Sequence, residues 1–220
     1  MASTDILGRI SRIGIVPVVR AASGAEAIAV VEAIRDGGID VIELTMTVPG
    51  AIDVIRELVR SCGDQVVIGA GTVLDAETAR ACILAGARFV VSPILDVPTI
   101  TCCRTYDVPT MPGALTPTEV VRAWQAGAAL VKVFPCGAMG GASYVKALKA
   151  PLPQIPLVPT GGVSLDNVGD FIRAGAAAVG AGADLADVKK VRAGASAEVT
   201  ERARRYVLAI EQARASLART

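Results

Sequence analysis

Short apolar segments rich in β-branched residues alternate with segments of helical periodicity along the whole chain. This order predicts a parallel sheet whose strands are connected by crossover helices. The predicted strands span residues 13–20, 41–47, 66–73, 89–94, 109–114, 130–135, 157–162 and 178–183. Eight strands of this kind close a barrel, so we predict one α/β domain over residues 1–220, a (β/α)8 TIM barrel with a short N-terminal helix. An open doubly wound sheet is the alternative, because the same alternation builds both folds.

Helix boundaries are marked by residues with known capping preferences. The starts are indicated by two capping boxes and by two prolines in a first turn: Ser23 with Glu26, Thr116 with Glu119, Pro49 and Pro117. The ends are indicated by glycines that tolerate a positive φ, at positions 38, 86, 127 and 175. Residues 195–218 form an amphipathic stretch that we interpret as the closing helix, with its arginines on a solvated face.

The composition argues against several classes of function. The chain has 22 Lys and Arg residues against 21 Asp and Glu, and a net charge of +1 offers no field for nucleic acid or an anionic membrane. Although 52% of the residues are hydrophobic, no apolar run reaches the roughly 18 residues of a membrane span. Charged residues near the amino terminus interrupt any secretory signal, so we expect a cytoplasmic protein whose partner is a small molecule.

The cysteine and histidine content limits the available chemistry further. The 5 cysteines show neither C-x-x-C spacing nor a disulfide pattern, which favours reduced thiols, and the chain has no histidine. There is therefore no Ser-His or Cys-His nucleophile and no His-ligated zinc, and we expect no metal. The G-x-G of Gly69 and Gly71 lacks the third glycine and the acidic ribose contact of a dinucleotide site, so we expect no organic cofactor either. Lysine and carboxylate chemistry remains.

Two charged residues are predicted to point into the barrel. Side chains alternate along a strand, so Glu43 shares the inward face of its strand with Thr45 and Thr47, and Lys132 faces inward beside Phe134. A buried charge is costly unless it is paired or functional. A structural ion pair between Glu43 and Lys132 is one explanation of this arrangement.

Polar residues at other strand ends favour a functional explanation. Arg20, Thr72 and Thr160 close the first, third and seventh predicted strands, at the carboxyl ends where barrel enzymes build their active sites. Lys132 is the only lysine within a predicted strand. Burial among apolar side chains disfavours its ammonium form, and a neutral amine can attack a ketone to form a protonated imine. Glu43 is then the candidate proton carrier. Arg20 is either a carboxylate-binding residue or an exposed charge at a strand end.

Two glycine-rich strand ends predict a phosphate site. The segments at 159–164 (PTGGVS) and 179–184 (VGAGAD) combine bare backbone N–H groups with a helix start. They end the seventh and eighth predicted strands, which is where such barrels usually bind phosphate. Tight turns are the alternative explanation of these glycines.

Eight segments carry a resemblance to a known family: PVVRA, VIELTMTVPGA, IGAGTVLD, FVVSPILD, MPGALTPTE, LVKVFP, PLVPTGGVSLDNV and AVGAG. In this order and spacing, over nearly the whole chain, they resemble the 2-keto-3-deoxy-6-phosphogluconate aldolases and the relatives that act on 4-hydroxy-2-oxoglutarate or the phosphogalactonate epimer. The resemblance implies a Schiff-base lysine at Lys132 and an acid/base at Glu43, in agreement with the inference from strand position. It also implies a homotrimer.

The resemblance extends to substrate-binding residues. It implies a pyruvate and substrate pocket lined by Thr72, Pro93, Phe134 and Thr160, and a phosphate site at Gly161, Gly162 and Gly182. The chain departs from the best-known members at two positions, with Thr47 in place of an arginine and Ala183 in place of a serine of the last phosphate turn. Arg20 is placed to supply the missing cation, as an arginine in PVxR does in other members.

These observations lead to an expected reaction, the reversible cleavage of 2-keto-3-deoxy-6-phosphogluconate to pyruvate and glyceraldehyde 3-phosphate. The same chemistry on 4-hydroxy-2-oxoglutarate or the galactonate epimer is the nearest alternative, because of Thr47. A phosphate-binding barrel of another enzyme class, such as an isomerase, would leave Lys132 idle. A sugar-phosphate sensor without turnover is the non-enzymatic alternative.

Overall fold

Nine short strand segments form the wall of a barrel in the computed structural model, which describes residues 2–218. They are β1 (Ile15–Val19), β2 (Val41–Thr45), β3 (Val67–Gly71), β4 (Val90–Val91), β5 (Thr110–Met111), β6 (Gly113–Ala114), β7 (Val131–Val133), β8 (Leu157–Pro159) and β9 (Val179–Ala181). All pair in parallel, in the order β5-β4-β3-β2-β1-β9 in one sheet and β6-β7-β8 in the other. This parallel order is the one that the alternating pattern predicts.

Backbone hydrogen bonds join the two sheets at both edges. The Lys132 N–H donates to the Pro112 carbonyl at 2.9 Å, and the Ala177 N–H donates to the Leu157 carbonyl at 2.9 Å. Segments β5 and β6 lie on either side of Pro112 and are two parts of one barrel strand. Eight strand positions therefore surround one axis, and the barrel prediction is confirmed over the open doubly wound sheet.

All eight predicted strands are present, but each is shorter than predicted. The prediction of 89–94, for example, reduces to Val90–Val91, and 157–162 reduces to Leu157–Pro159. The residues lost are mostly at the carboxyl ends, where the backbone leaves the ladder and turns into a loop. The polar residues that were predicted to end strands consequently lie on the first loop residues, one position beyond β1, β3 and β8.

Helices surround the barrel. They are α1 (Ser3–Ile13), α2 (Gly24–Asp36), α3 (Ala51–Cys62), α4 (Ala76–Leu84), α5 (Val97–Thr105), α6 (Pro117–Gln125), α7 (Ala142–Lys149), α8 (Val168–Arg173), α9 (Val188–Arg192) and α10 (Ser196–Leu217), with short 3-10 helices at Gly63–Gln65 and Gly137–Met139. Helices α2 to α8 connect successive strands, and the predicted N-terminal and closing helices are α1 and α10. None of the helices described is long and apolar enough to cross a membrane.

Inward-facing apolar side chains fill the amino-terminal half of the barrel. This core consists of Ile6, Ile10, Val16, Val41, Val67, Phe89, Val91, Met111, Leu130, Val158 and Ala178. Ile6 and Ile10 lie one helical turn apart on the buried face of α1, so that this helix closes the barrel at that end. The alternate strand residues, such as Ile42, Leu44 and Val131, pack instead against the helices in a second, larger core. The predicted alternation of faces is confirmed.

The capping prediction for α6 is confirmed. Thr116 Oγ1 accepts from the Glu119 N–H at 3.3 Å, the Glu119 carboxylate accepts from the Thr116 N–H at 2.7 Å, and Pro117 is the first helical residue. Hydrogen bonds to its carboxylate from the backbone N–H groups of Thr116 and Leu115 hold the pKa of Glu119 below its ordinary value. The four predicted glycine stops have φ values of 93°, 105°, 97° and 95°, at positions 38, 86, 127 and 175.

Two other capping predictions need correction. Ser23 Oγ does accept from the Glu26 N–H at 3.3 Å, but the Glu26 carboxylate accepts from Ala22 at 3.1 Å and not from Ser23, so the box is only half formed. Pro49 lies outside α3, which begins at Ala51. The chain makes an additional turn before this helix because β2 already ends at residue 45.

The arginines of α10 do not all face the solvent, in contrast to the prediction. Arg204 and Arg205 are exposed, but Arg202 binds Asp184, and Arg214 Nη2 donates to the Ser11 carbonyl at 2.6 Å. The reason is that α10 packs against α2 and α8, so the edges of its buried face meet polar groups of the loop after β9 and of the end of α1.

Close packing in the barrel interior depends on Gly69. A Cβ atom at this position would lie 2.3 Å from two ring carbons of the buried Phe89. We therefore expect Gly69→Ala to lower the free energy of unfolding by about 1 to 3 kcal/mol through overpacking, as measured by urea denaturation.

Gly8→Ala is the matched control for this substitution. Gly8 lies within α1, and a Cβ there would have no heavy atom within 4 Å. Because alanine favours helix over glycine, Gly8→Ala should raise the free energy of unfolding by about 0.5 to 1 kcal/mol. Equal stability of the Gly69→Ala variant and the parent would contradict the packing inference.

Candidate active site

Lys132 lies inside the barrel, on β7. The side chain is buried, with 4% of its surface exposed, and its backbone pairs with Gly113 of β6 and Val158 of β8. Its Nζ lies 5.3 Å from the centroid of the Phe134 ring, within the range of a cation–π contact. The alternation along β7 thus carries this amine into the apolar interior, as the sequence predicts.

Glu43 lies on β2, on the opposite side of the barrel from β7. It is 2% exposed, and its Oε1 is buried without a hydrogen-bond partner among the described residues. Glu43 and Lys132 form no ion pair within 4 Å, since neither belongs to any of the salt bridges of the described chain. The structural ion pair considered from the sequence is therefore not formed. An unpartnered buried carboxylate oxygen is costly and points to a group that binds something else.

Two interior glycines make room for polar side chains. A Cβ at Gly71 would lie 1.8 Å from Glu43 Oε1, and a Cβ at Gly180 would lie 2.3 Å from Thr160 Oγ1. These glycines come from the strands adjacent to β2 and β8. A larger residue at either position would displace the polar side chain that lies over it.

Two threonine hydroxyls follow Glu43 along the chain. Thr45 Oγ1 lies 3.1 Å from the Val19 carbonyl and 2.6 Å from Thr47 Oγ1. A carbonyl can only accept, so Thr45 donates to Val19 and Thr47 must donate to Thr45. Thr47 is exposed, and its oxygen can then only accept from a ligand. A hydroxyl in this state cannot replace an arginine that binds an anion.

A cavity of about 300 Å³ opens at the carboxyl ends of the strands. It brings together seven of the predicted site residues: Arg20, Phe134, Thr160, Gly161, Gly162, Gly182 and Ala183. Among the described residues, Arg20 is the only cation that lines this cavity. It forms no salt bridge with another described residue. A second cavity of about 340 Å³ shares Arg20 and Ala183 and extends to Lys189 on α9.

The two glycine turns present backbone donors to this cavity. Gly161 and Gly162 have φ values of 86° and 77°, which only glycine adopts without strain. Their carbonyls accept from Gly137 N–H at 2.9 Å and Asn167 Nδ2 at 2.8 Å and so are turned away from the opening. Within residues 2–218, the N–H groups of Gly161, Gly162 and Ala183 donate to no protein acceptor. Free N–H groups in such turns are a favourable environment for an anion.

Five predicted site residues lie outside the lining of the cavity: the buried Lys132 and Glu43 inside the barrel, and Thr47, Thr72 and Pro93. Thr47 is exposed in the turn after β2, and Pro93 follows β4, where its carbonyl closely approaches Gly113. Thr72 follows Gly71 with a φ of 59°, a left-handed conformation that is strained for a residue with a branched side chain. Backbone strain of this kind is concentrated at functional sites, which keeps Thr72 among the candidates.

Cys136 is the other potential nucleophile close to Lys132 in the chain. It is buried, and burial raises its pKa to about 11, so that it remains a thiol near neutral pH. All the cysteines are free, and within residues 2–218 no group of three or more acidic or cysteine side chains is placed to hold a metal ion. Of these two residues, Lys132 is therefore the better candidate nucleophile, and its side chain lies inside the barrel.

The sequence analysis missed a set of residues that borders the cavity. Asp184 lines it directly after Ala183 and binds Arg202 and Tyr206 of α10. Asp184 was visible as the polar end of a glycine-rich segment. Its partners could not be found, because they lie 18 and 22 residues further along the chain, on a helix interpreted as a solvated surface.

Comparison of the amino-acid sequence with known proteins finds similarity to aldolases. A sequence model described as KDPG and KHG aldolase matches residues 6–202. The chain is 33% identical over 195 residues to the 2-dehydro-3-deoxy-phosphogluconate aldolase of Treponema pallidum, covering 89% of this chain and 92% of that protein. It is 36% identical over 205 residues to the 2-dehydro-3-deoxy-6-phosphogalactonate aldolase of Escherichia coli, covering 92% and 97%.

A solved structure extends this similarity to three dimensions. The KDPG aldolase of Legionella pneumophila, with pyruvate captured at low pH as a covalent carbinolamine intermediate, matches with a TM-score of 0.83 and 28% identity. The alignment covers 90% of this chain and 96% of that one. The regions matched by the family include the strands that carry Glu43 and Lys132 and both glycine turns.

Proposed function

The chain belongs to the KDPG and KHG aldolase family, and on this premise we propose that it reversibly cleaves 2-dehydro-3-deoxy-6-phosphogluconate to pyruvate and D-glyceraldehyde 3-phosphate. The observation that carries the proposal is the pair of buried ionisable groups, Lys132 and Glu43, which face the barrel interior without binding each other. A class I aldolase needs these two groups, an amine that forms an imine and a carboxylate that moves protons.

The reaction follows from the chemistry of these two residues. The Lys132 Nζ lone pair attacks the C2 ketone of the substrate, and loss of water leaves a protonated imine. Glu43 removes the proton of the C4 hydroxyl, the C3–C4 bond breaks, and its electron pair passes to the imine to form an enamine. The C4 fragment leaves as the aldehyde. Protonation of the enamine at C3 by Glu43 and hydrolysis of the imine release pyruvate.

The surroundings of Glu43 support its role as the base. Its Oε1 has no donor among residues 2–218, so this oxygen retains its lone pairs for a substrate proton. The space over Gly71 lets the carboxylate lie inside the barrel wall. The apolar interior beneath the site excludes water, which strengthens electrostatic interactions between the protein and a charged intermediate.

The cavity at the strand ends suits the two anionic groups of the substrate. The free N–H groups of Gly161, Gly162 and Ala183 are suited to the phosphate. Arg20 is suited to the carboxylate, because it is the cation of this cavity and Thr47 cannot bind an anion. Thr72, Pro93, Phe134, Thr160 and Gly182 keep the roles in substrate or phosphate binding that the family resemblance implies.

Incubation with pyruvate and sodium borohydride tests the nucleophile. We expect a reduced adduct on Lys132, located by peptide mass spectrometry, and its complete loss in Lys132→Met, because only an imine is trapped by the hydride. Lys146→Met, on the exposed surface of α7, is the control and should retain the adduct. The absence of an adduct in the folded parent would exclude the aldolase mechanism.

Substitution of the base should separate imine formation from cleavage. We expect Glu43→Gln to lower kcat by roughly 100-fold or more, the magnitude of a lost general acid/base, while pyruvate is still partly trapped by borohydride. Glu57→Gln, on the exposed face of α3, is the control. Unchanged steady-state kinetics of Glu43→Gln would remove this residue from the mechanism.

The choice of substrate is tested by turnover of three aldols: the phosphogluconate, the phosphogalactonate epimer and 4-hydroxy-2-oxoglutarate. We expect the highest kcat/KM for the phosphogluconate, and Arg20→Met should raise KM for all three by about 10-fold, because each carries a carboxylate. Arg60→Met, on the exposed face of α3, is the control. An unchanged KM would exclude Arg20 from carboxylate binding. A higher kcat/KM on another aldol would change the assigned substrate but not the mechanism.

The alternatives make different predictions in the same experiments. An isomerase that uses the glycine turns would keep its activity in Lys132→Met. A sugar-phosphate sensor would bind its ligand in a calorimeter without forming product. The homotrimer, the single domain over residues 1–220 and the cytoplasmic location stay predictions, the first of them resting on the family resemblance.

A further inference from the structure

One carboxylate joins the two glycine turns of the cavity. Asp184 follows the turn at Gly182 and Ala183 after β9, and its Oδ2 accepts from the backbone N–H of Leu165 at 3.2 Å. Leu165 lies three residues beyond Gly162, in the loop after β8. The side chain is therefore a direct link between loops that leave two neighbouring strands.

Helix α10 holds this carboxylate from the other side. Arg202 donates from Nη2 to Oδ1 at 2.5 Å and from Nε to Oδ2 at 3.2 Å, and the Tyr206 hydroxyl donates to Oδ2. Arg202 and Tyr206 are one helical turn apart and so share a face of α10. Tyr206 is completely buried, which makes it a rigid support.

The charge state of this cluster is well defined. Burial raises the pKa of Asp184, but the hydrogen bonds from Tyr206, Arg202 and Leu165 lower it by more, so that it lies below its ordinary value. Burial and the neighbouring carboxylate raise the pKa of Tyr206. Near neutral pH the carboxylate is ionised and the phenol is a donor. The Arg202 guanidinium offsets the negative charge, which would otherwise repel an anion in the same cavity.

The free N–H groups lie on both turns, so their relative position decides whether one anion can reach all of them. Asn167 organises the first turn, with Oδ1 accepting from Ser164 N–H at 2.9 Å and Nδ2 donating to the Gly162 carbonyl. It makes no hydrogen bond to the second turn. Asp184 is the side chain that connects the second turn to the first.

We propose that Asp184, held by Arg202 and Tyr206, is a positioning residue that sets the spacing of the two glycine turns around a phosphate group. The proposal rests on the proposed function and deepens it, because it assigns to α10 a role in the affinity for phosphorylated substrates. Asp184 touches none of the reacting atoms in this role, and the imine chemistry at Lys132 does not depend on it.

The direction in which one substitution changes the phosphate affinity distinguishes a positioning role from a purely electrostatic one. Asp184→Asn removes a negative charge beside the anion, which on Coulombic grounds alone would strengthen phosphate binding. The positioning role predicts weaker binding, because an amide cannot accept from Arg202, Tyr206 and Leu165 in the same way. Tyr206→Phe removes one donor without a change in charge, and it should act in the same direction.

The experiment titrates inorganic phosphate into the parent and three variants by calorimetry, with thermal unfolding as a check of folding. We expect phosphate binding to weaken about 10-fold in Asp184→Asn, which loses the carboxylate, and about 5-fold in Tyr206→Phe, which loses one of its hydrogen-bond donors. Arg204→Met is the control, since Arg204 lies on the same helix and makes long contacts away from the cavity, at 3.4 Å to Glu201 and at 3.4 Å to the Asp36 carbonyl. Its phosphate affinity should equal that of the parent.

Trapping of pyruvate by borohydride is the second measurement, because pyruvate carries no phosphate. Unchanged trapping rates in Asp184→Asn and Tyr206→Phe, together with a raised KM only for phosphorylated aldols, would support the positioning role. Equal or tighter phosphate binding in both variants would overturn it, as would a parallel loss of trapping. Absence of a Lys132 adduct in the parent would instead remove the proposed function, whatever the phosphate titration shows.

Discussion

Close packing across the barrel interior is the constraint on which the site depends. Side chains of adjacent strands compete for the same volume, so a large inward residue needs a neighbour without a side chain. Three such pairs occur: Gly69 with Phe89, Gly71 with Glu43 and Gly180 with Thr160. The first pair lies in the apolar half of the barrel and the others in the polar half. A glycine beside a large inward side chain therefore serves both to pack the core and to position the candidate base.

The residues that stabilise the barrel and the residues proposed to carry out the chemistry lie at different levels along the barrel axis. The amino-terminal half is filled by aliphatic and aromatic side chains and is closed by α1, whereas Lys132, Glu43 and Thr160 lie towards the carboxyl ends. The apolar half forms the floor of the site and keeps water from the amine and the carboxylate. Because the two groups are held on opposite sides of the barrel by different strands, they form no ion pair, and a substrate can be bound between them.

The anionic end of the cavity has a different physical basis. Its donors are backbone N–H groups on two loops, and loops hold their shape only where side chains fix them. Asn167 fixes one turn, and the Asp184 cluster connects the second turn to the first and to α10. A helix that is distant in sequence thus contributes to a site without touching the reacting groups. This arrangement also accounts for an acidic side chain in a cavity suited to anions, because its charge is offset by Arg202.

Local patterns in the sequence determined the strand positions, the inward faces of Glu43 and Lys132, and the glycine stops of four helices. These features depend on the period of two in a strand and on the conformational preferences of single residues, which neighbouring positions fix. The tertiary structure alone decided that Glu43 and Lys132 do not pair, that Glu26 completes no capping box, that Thr47 can only accept, and that Asp184 binds α10. Each of these depends on where a distant strand, loop or helix places a partner atom, and a single side chain has several partners within reach until the barrel closes.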